Sequence, residues 1–298
     1  MSGHVHVRPA CNASATTPTA VASFASALWL PLRLLSVIVV ACVQRRETPP
    51  APVIVAAPAA QAPAPQAPVA PVLVSDPPIV PLKVAGYPDA VISVPTGATS
   101  PRPIVIATHG LWDFPEGLCD NWRWIVGTRA WVLCVRGDLM PDKTFLYRSG
   151  PALLREIDAG VQALKERFPG YVDDGPMLYT GFSLGAILGA WIITHAPARF
   201  PRAVLTEGGE DRFTPKSAAT FAKGGGQRVL FACGLKGRVG TASTAANVLT
   251  RAGVPSRVVL GKLPDAGQFI HWYNGPVAEE EKAQLEWLLE GDARWNAP

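Results

Sequence analysis

The chain has 298 residues, 27 of them basic and 23 acidic, for a formal net charge of +4. So small a surplus, with no basic stripe, argues against a nucleic-acid surface. Its five cysteines contain no CxxC pair and no Cys/His cluster of zinc spacing, which argues against a disulfide scaffold or a structural metal, and no cofactor motif stands out.

Composition is uneven. Residues 1–81 hold only four basic residues (Arg8, Arg33, Arg45, Arg46) and two acidic ones (Glu47, Asp76). The 217 residues of 82–298 carry 23 basic and 21 acidic side chains and are long enough for a single domain with a well-buried core. Within residues 1–43, Arg33 precedes the apolar run "LLSVIVVACV", which ends in small residues before a cysteine. This resembles a bacterial lipoprotein signal, which implies that Cys42 carries the lipid. It departs from that pattern at Val39, where leucine is preferred, and in Arg45 and Arg46 just beyond. An uncleaved membrane anchor over Val21 to Val43, an ordinary signal peptide and a spurious extension are the alternatives. All but the last place the downstream domain outside the cytoplasm, in contact with a membrane through this segment.

Residues 44–81 are rich in proline and alanine. Proline lacks an N–H and fixes φ, so this tract forms neither a helix interior nor a ladder. It reads as an extended spacer reaching on the order of 100 Å, or as a disordered tail without a task.

From residue 88 short apolar runs alternate with helical patterns. Strands are expected at 90–95, 103–110, 130–137, 177–181, 203–207, 228–233 and 256–260. Helices are expected around 118–129 and at 151–168, 184–196, 215–223 and 241–252. A last helix begins with Glu279–Glu281 and buries Leu285, Leu288 and Leu289. Such alternation implies an α/β fold, with a mainly parallel central sheet covered by helices on both faces. Ligands of such sheets sit at the carboxyl ends of the strands.

One of those ends reads "LYTGFSLGAILGAW". Composition alone produces G-x-S-x-G in about one chain in ten of this kind, so the motif counts only through its setting between a strand and a helix. A turn there pushes Ser183 clear of the backbone, and Gly181 and Gly185 remove Cβ atoms that would clash. Here the chain resembles the α/β-hydrolase family over about residues 82–298, without an inserted lid domain. The resemblance implies a serine nucleophile, Ser183, followed by an acid and then a histidine.

Of the five histidines, His4 and His6 precede the domain, His109 precedes the nucleophile, and His195 lies ~18 Å along the helix that Ser183 starts. His271 remains, in the polar loop "DAGQFIHWYNGP", as the base. The family commonly places its acid after the penultimate strand, where this chain reads "FACGLKGRVG", and no Asp or Glu occurs from 212 to 264. Glu207, at the preceding strand's end, is the first candidate, with Glu210, Asp211 and Asp265 as alternatives. The family's oxyanion site implies the backbone N–H of Leu184 and one from Leu111 or Trp112, in the loop after His109-Gly110. His109 itself reads as a brace for that loop.

Cys119 and Cys134 fall on a consecutive helix and strand, which makes a disulfide between them feasible in an oxidising compartment, with two separate core cysteines as the alternative. Phe114, Phe182, Trp272 and Tyr273, together with Trp112, are expected at the mouth of an open cleft. The resulting expectation is an exported serine hydrolase acting on a small ester. The alternatives are a serine peptidase or amidase on the same scaffold, and a non-catalytic envelope-binding module.

Overall fold

The computed structural model describes residues 71–261 and 271–296. The signal-like segment with Cys42, the spacer up to residue 70 and the candidate acid Asp265 lie outside the described residues.

In chain order the strands are β1 (Ile79–Leu82), β2 (Ala90–Ser93), β3 (Ile104–Thr108), β4 (Trp131–Cys134), β5 (Asp138–Leu139), β6 (Phe145–Leu146), β7 (Leu178–Phe182), β8 (Arg202–Thr206), β9 (Arg228–Cys233) and β10 (Ser256–Leu260). The helices are α1 (Pro115–Val126), α2 (Gly150–Arg167), α3 (Leu184–His195), α4 (Pro215–Lys223), α5 (Val239–Arg251), α6 (Pro276–Ala283) and α7 (Leu285–Leu289). Eight strands form one sheet in the order β1-β2-β4-β3-β7-β8-β9-β10, while β5 and β6 make a separate hairpin. β2 runs antiparallel to both β1 and β4, and the remaining neighbours are parallel. Among the described residues no helix is long and apolar enough to cross a membrane.

The central strands are buried on both faces, which is why they read as unbroken apolar runs. Their side chains still alternate. Ile104, Ile106, Leu133, Tyr179, Leu205 and Phe231 face a core shared with Ile157 and Leu164 of α2, Ala186 and Ile193 of α3, Phe221 of α4 and Leu249 of α5. Val105, Val132, Leu178, Val204 and Leu230 face the opposite core, filled by Leu118, Trp122 and Ile125 of α1 and Leu285 and Leu288 of α7. The result is a three-layer sandwich.

Local chemistry sets several helix starts. Pro115, Pro151, Pro215 and Pro276 lie in first turns, where the missing N–H costs nothing. Ser149 accepts a hydrogen bond from the Ala152 amide, and Thr214 and Ser217 form a capping box.

Three expectations need correction. The ordered unit starts earlier than residue 82: β1 occupies the end of the presumed spacer, and Leu73 is buried with its amide on the Ala98 carbonyl. Pro81 hides this strand in the sequence, yet β1 is the sheet's edge, where a proline is tolerated. The last helix starts at Pro276, not at Glu279, and is divided at Gln284, whose amide is shared between the Glu280 and Glu281 carbonyls. The β5–β6 hairpin is not expected from the sequence, since two-residue strands carry no period.

This topology brings the carboxyl ends of β3, β7, β8, β9 and β10 into line. The register pairs Thr108 with Gly181, Phe182 with Thr206, Thr206 with Ala232, and Cys233 with Leu260.

Candidate active site

Ser183 stands between β7 and α3 with φ 51° and ψ −111°, a left-handed conformation that only surrounding structure can enforce on a serine. Its amide donates to the Thr206 carbonyl at 2.9 Å, and the Gly185 amide donates to the His109 carbonyl at 3.1 Å. The two glycines of the motif make this crowding possible. A Cβ on Gly181 would lie 2.6 Å from the Gly185 carbonyl carbon, and one on Gly185 would strike the Thr108 carbonyl oxygen. Ser183 itself is half-buried.

His271 emerges beyond β10 with its side chain 39% exposed. Its Nδ1 lies 3.2 Å from Oε2 of Glu207, and its ring packs 4.8 Å from that of Phe182, the residue before Ser183. Glu207 follows β8 directly. It too has a positive φ, 56°, and its side chain is fully buried. Its Oε1 accepts the amides of Gly234 and Leu235, the latter at 2.8 Å, and its Oε2 forms an ion pair with Nε of Arg238 at 3.1 Å. Burial works to raise the pKa of this carboxyl. The hydrogen bonds from His271, Leu235 and Gly234 outweigh it and hold the pKa below its usual value. The group is therefore a carboxylate at neutral pH, aimed at one imidazole nitrogen.

The other candidate acids have other partners. Glu210 is buried and pairs with Nη1 of Arg238 at 2.6 Å. Asp211 is exposed beside its own neighbour Arg212, at 3.4 Å.

The Leu184 amide opens α3, and the first amides of a helix have no intrahelical acceptor. The loop carrying Leu111 and Trp112 lies alongside: a Cβ on Gly110 would sit 3.4 Å from that of Ser183. Trp112 has φ 57°, and both side chains point outward, 42% and 61% exposed. His109 is buried beneath, with its ring nitrogens 2.7 and 2.8 Å from the carbonyls of Gly110 and Arg136 and its ring 4.6 Å from that of Tyr147. Burial lowers its pKa against the two carbonyl contacts, which raise it, and those contacts make it a brace for the loop.

At the mouth, Phe114 and Trp272 are exposed, while Tyr273 is half-buried between Trp272 and Phe182 and is held by its carbonyl on Asn121 of α1. Phe182 is buried and forms floor rather than rim. Cys119 of α1 and Cys134 of β4 are joined by a disulfide, with Cα atoms 5.8 Å apart. Cys233 is a free, buried thiol, its pKa pushed up to about 12 by burial and by the charges of Glu207 and Glu210.

Sequence reasoning does not anticipate two features here. The loop after β9 supplies two amides and a guanidinium to the acid; its missing carboxylate is the only hint. Thr206, whose carbonyl holds Ser183, donates its hydroxyl to Glu281 of α6, a fully buried carboxyl. That bond ties the segment after His271 to the strand end carrying Glu207.

Strand order, the strained serine between strand and helix, and a histidine after the last strand together define the α/β-hydrolase fold. Solved structures agree at the level of fold. The fluorophosphonate-binding serine hydrolase F of Staphylococcus aureus superposes with a TM-score of 0.51, at 11% identity over 71% of this chain and 97% of its own. A thermostable esterase gives 0.50, at 16% identity over 72% of this chain and 63% of its own. The chain spans only 40% of the acylaminoacyl peptidase of Pyrococcus horikoshii, which matches with a TM-score of 0.49 at 15% identity. By sequence, no protein-family model and no curated protein matches.

Proposed function

We propose that the protein is a serine hydrolase of small esters, with Ser183 as nucleophile, His271 as general base and Glu207 as the group that orients His271. One observation carries this reading: the buried Glu207 carboxylate stands 3.2 Å from Nδ1 of His271. In this reading the carboxylate holds the proton on Nδ1, and Nε2 is the nitrogen that accepts from the Ser183 hydroxyl during the reaction.

In this mechanism Ser183 Oγ attacks the ester carbonyl carbon while its proton passes to His271 Nε2. The oxyanion forms beside the amides of Leu184 and of Leu111 or Trp112, which this reading assigns as its donors. Collapse expels the alcohol, which takes the proton from His271 and leaves an acyl-Ser183. Water, deprotonated by the same imidazole, then releases the acid. The exposed aromatic side chains of Phe114 and Trp272 at the site's edge suit a modest acyl or aryl ester.

We further propose that the domain is exported and held at the cell envelope through residues 1–43, by a lipid on Cys42 or by a membrane anchor, with the proline-rich tract as spacer. The Cys119–Cys134 disulfide supports this, since such bonds persist in oxidising compartments.

A panel of p-nitrophenyl esters set against aminoacyl and peptidyl amides tests the reaction class, with Ser183→Ala as control. Ester turnover with a burst of p-nitrophenol is expected. Amide cleavage alone would make the protein a peptidase or amidase, and no turnover at all would favour the non-catalytic module.

A further inference from the structure

Two buried carboxylates, Glu207 and Glu210, lie within the span of one guanidinium, that of Arg238: Nε is 3.1 Å from Glu207 and Nη1 2.6 Å from Glu210. Carboxylates this close repel, and burial strengthens the repulsion. The His271 imidazole stands beside one of them, Glu207, at 3.2 Å, so the guanidinium that holds both carboxylates bears on which of them keeps that contact.

Arg238 sits at the N-cap of α5, makes no capping bond there and comes after Lys236 in the same short turn. Cations are disfavoured at a helix N-terminus, where the backbone already presents partial positive charge. Local rules therefore argue against arginine at this position, and a residue that breaks local rules is accounted for by its tertiary task.

We propose that Arg238 is a positioning residue that divides these carboxylates, retaining Glu210 for itself and presenting Glu207 to His271. The inference rests on the serine-hydrolase reading above. The charged and titratable groups facing Arg238 are Glu207 and Glu210 from beyond β8, the Cys233 thiol at the end of β9, and His271 across the shared Glu207 oxygen.

The test compares Arg238→Met, Arg238→Lys and the double variant Arg238→Met/Glu210→Gln on one p-nitrophenyl ester. Arg238→Met should lower kcat by about 10- to 100-fold, the scale of misplacing a catalytic group, and leave KM within about two-fold. Arg238→Lys should fall between it and wild type. Adding Glu210→Gln removes the competing buried charge, so the double variant should fold even if Arg238→Met does not, and should recover most of kcat. A folded Arg238→Met with unchanged kcat would overturn the proposal, as would a folded double variant with no more activity than a folded Arg238→Met. If Arg238→Met does not fold, a folded double variant with less than one-tenth of wild-type kcat would overturn it too. Wild-type protein that turns over no ester would instead overturn the hydrolase reading on which it depends.

Discussion

Glu207 and His271 are 64 positions apart in the chain, yet Oε2 of one lies 3.2 Å from Nδ1 of the other. The carboxylate comes from the end of β8, while the neighbouring β9 end contributes the Gly234 and Leu235 amides and, through its loop, Arg238. Hydrogen bonds from His271, Leu235 and Gly234 keep this carboxylate ionised and fix its direction, so it acts by orienting the imidazole and stabilising its positive charge.

Glu207→Gln should therefore lower ester turnover by about 10⁴, the scale of losing the orienting carboxylate in a serine protease. Asp211→Asn, on an exposed residue, should leave turnover within about two-fold. Steady-state kinetics on one activated ester decide between them, and a reversed order would move the acid to Asp211.

The disulfide joins α1 to β4 across a sequence separation of 15 residues. Loop-closure entropy predicts that reduction lowers unfolding free energy by about 3 kcal/mol. Urea denaturation with and without reductant measures this, and coincident curves would show that the bond contributes nothing.

Glu281 offers a pH signature. Burial raises its pKa from an ordinary 4.5 to about 8, with the Thr206 hydroxyl only partly opposing. The folded protein thus keeps a proton that the unfolded chain releases. This contribution to stability is therefore full below about pH 4.5 and is lost as pH rises to about 8, at about 1.4 kcal/mol per unit. Glu281→Gln should flatten that decline. Urea midpoints at pH 5, 6.5 and 8 test it, and parallel declines for both proteins would refute the buried-acid account.

Gly185→Ala places a Cβ against the Thr108 carbonyl oxygen, part of the backbone rather than a movable side chain. A loss of about 1–3 kcal/mol is expected, together with reduced turnover as Ser183 shifts. Unchanged denaturation and kinetics would mean that the turn tolerates the methyl group.

Much of this architecture is legible in the chain, for definable reasons. Strands buried on both faces are short apolar runs such as "WVLC" and "RVLFAC", and Ser183 is marked by the flanking glycines that its turn demands. The absence of any acid between 212 and 264 leaves Glu207, Glu210, Asp211 and Asp265, and only its place at a strand end puts Glu207 first. β1 is hidden by Pro81, a residue that forbids central strands but not edges. Arg238 is illegible because its pairing with two carboxylates exists only once β8 and β9 lie side by side. Phe182 reads as rim in the sequence, although its strand position turns it inward, where it is 7% exposed.

The central claim is that Ser183 is made nucleophilic by His271 under the control of Glu207. A fluorophosphonate probe followed by peptide mass mapping tests it most directly, because the adduct names the attacking atom's residue. The account predicts one adduct, on Ser183, formed rapidly by wild type, far more slowly by Glu207→Gln and not at all by Ser183→Ala. An adduct elsewhere, or equal labelling of wild type and Ser183→Ala, would contradict it.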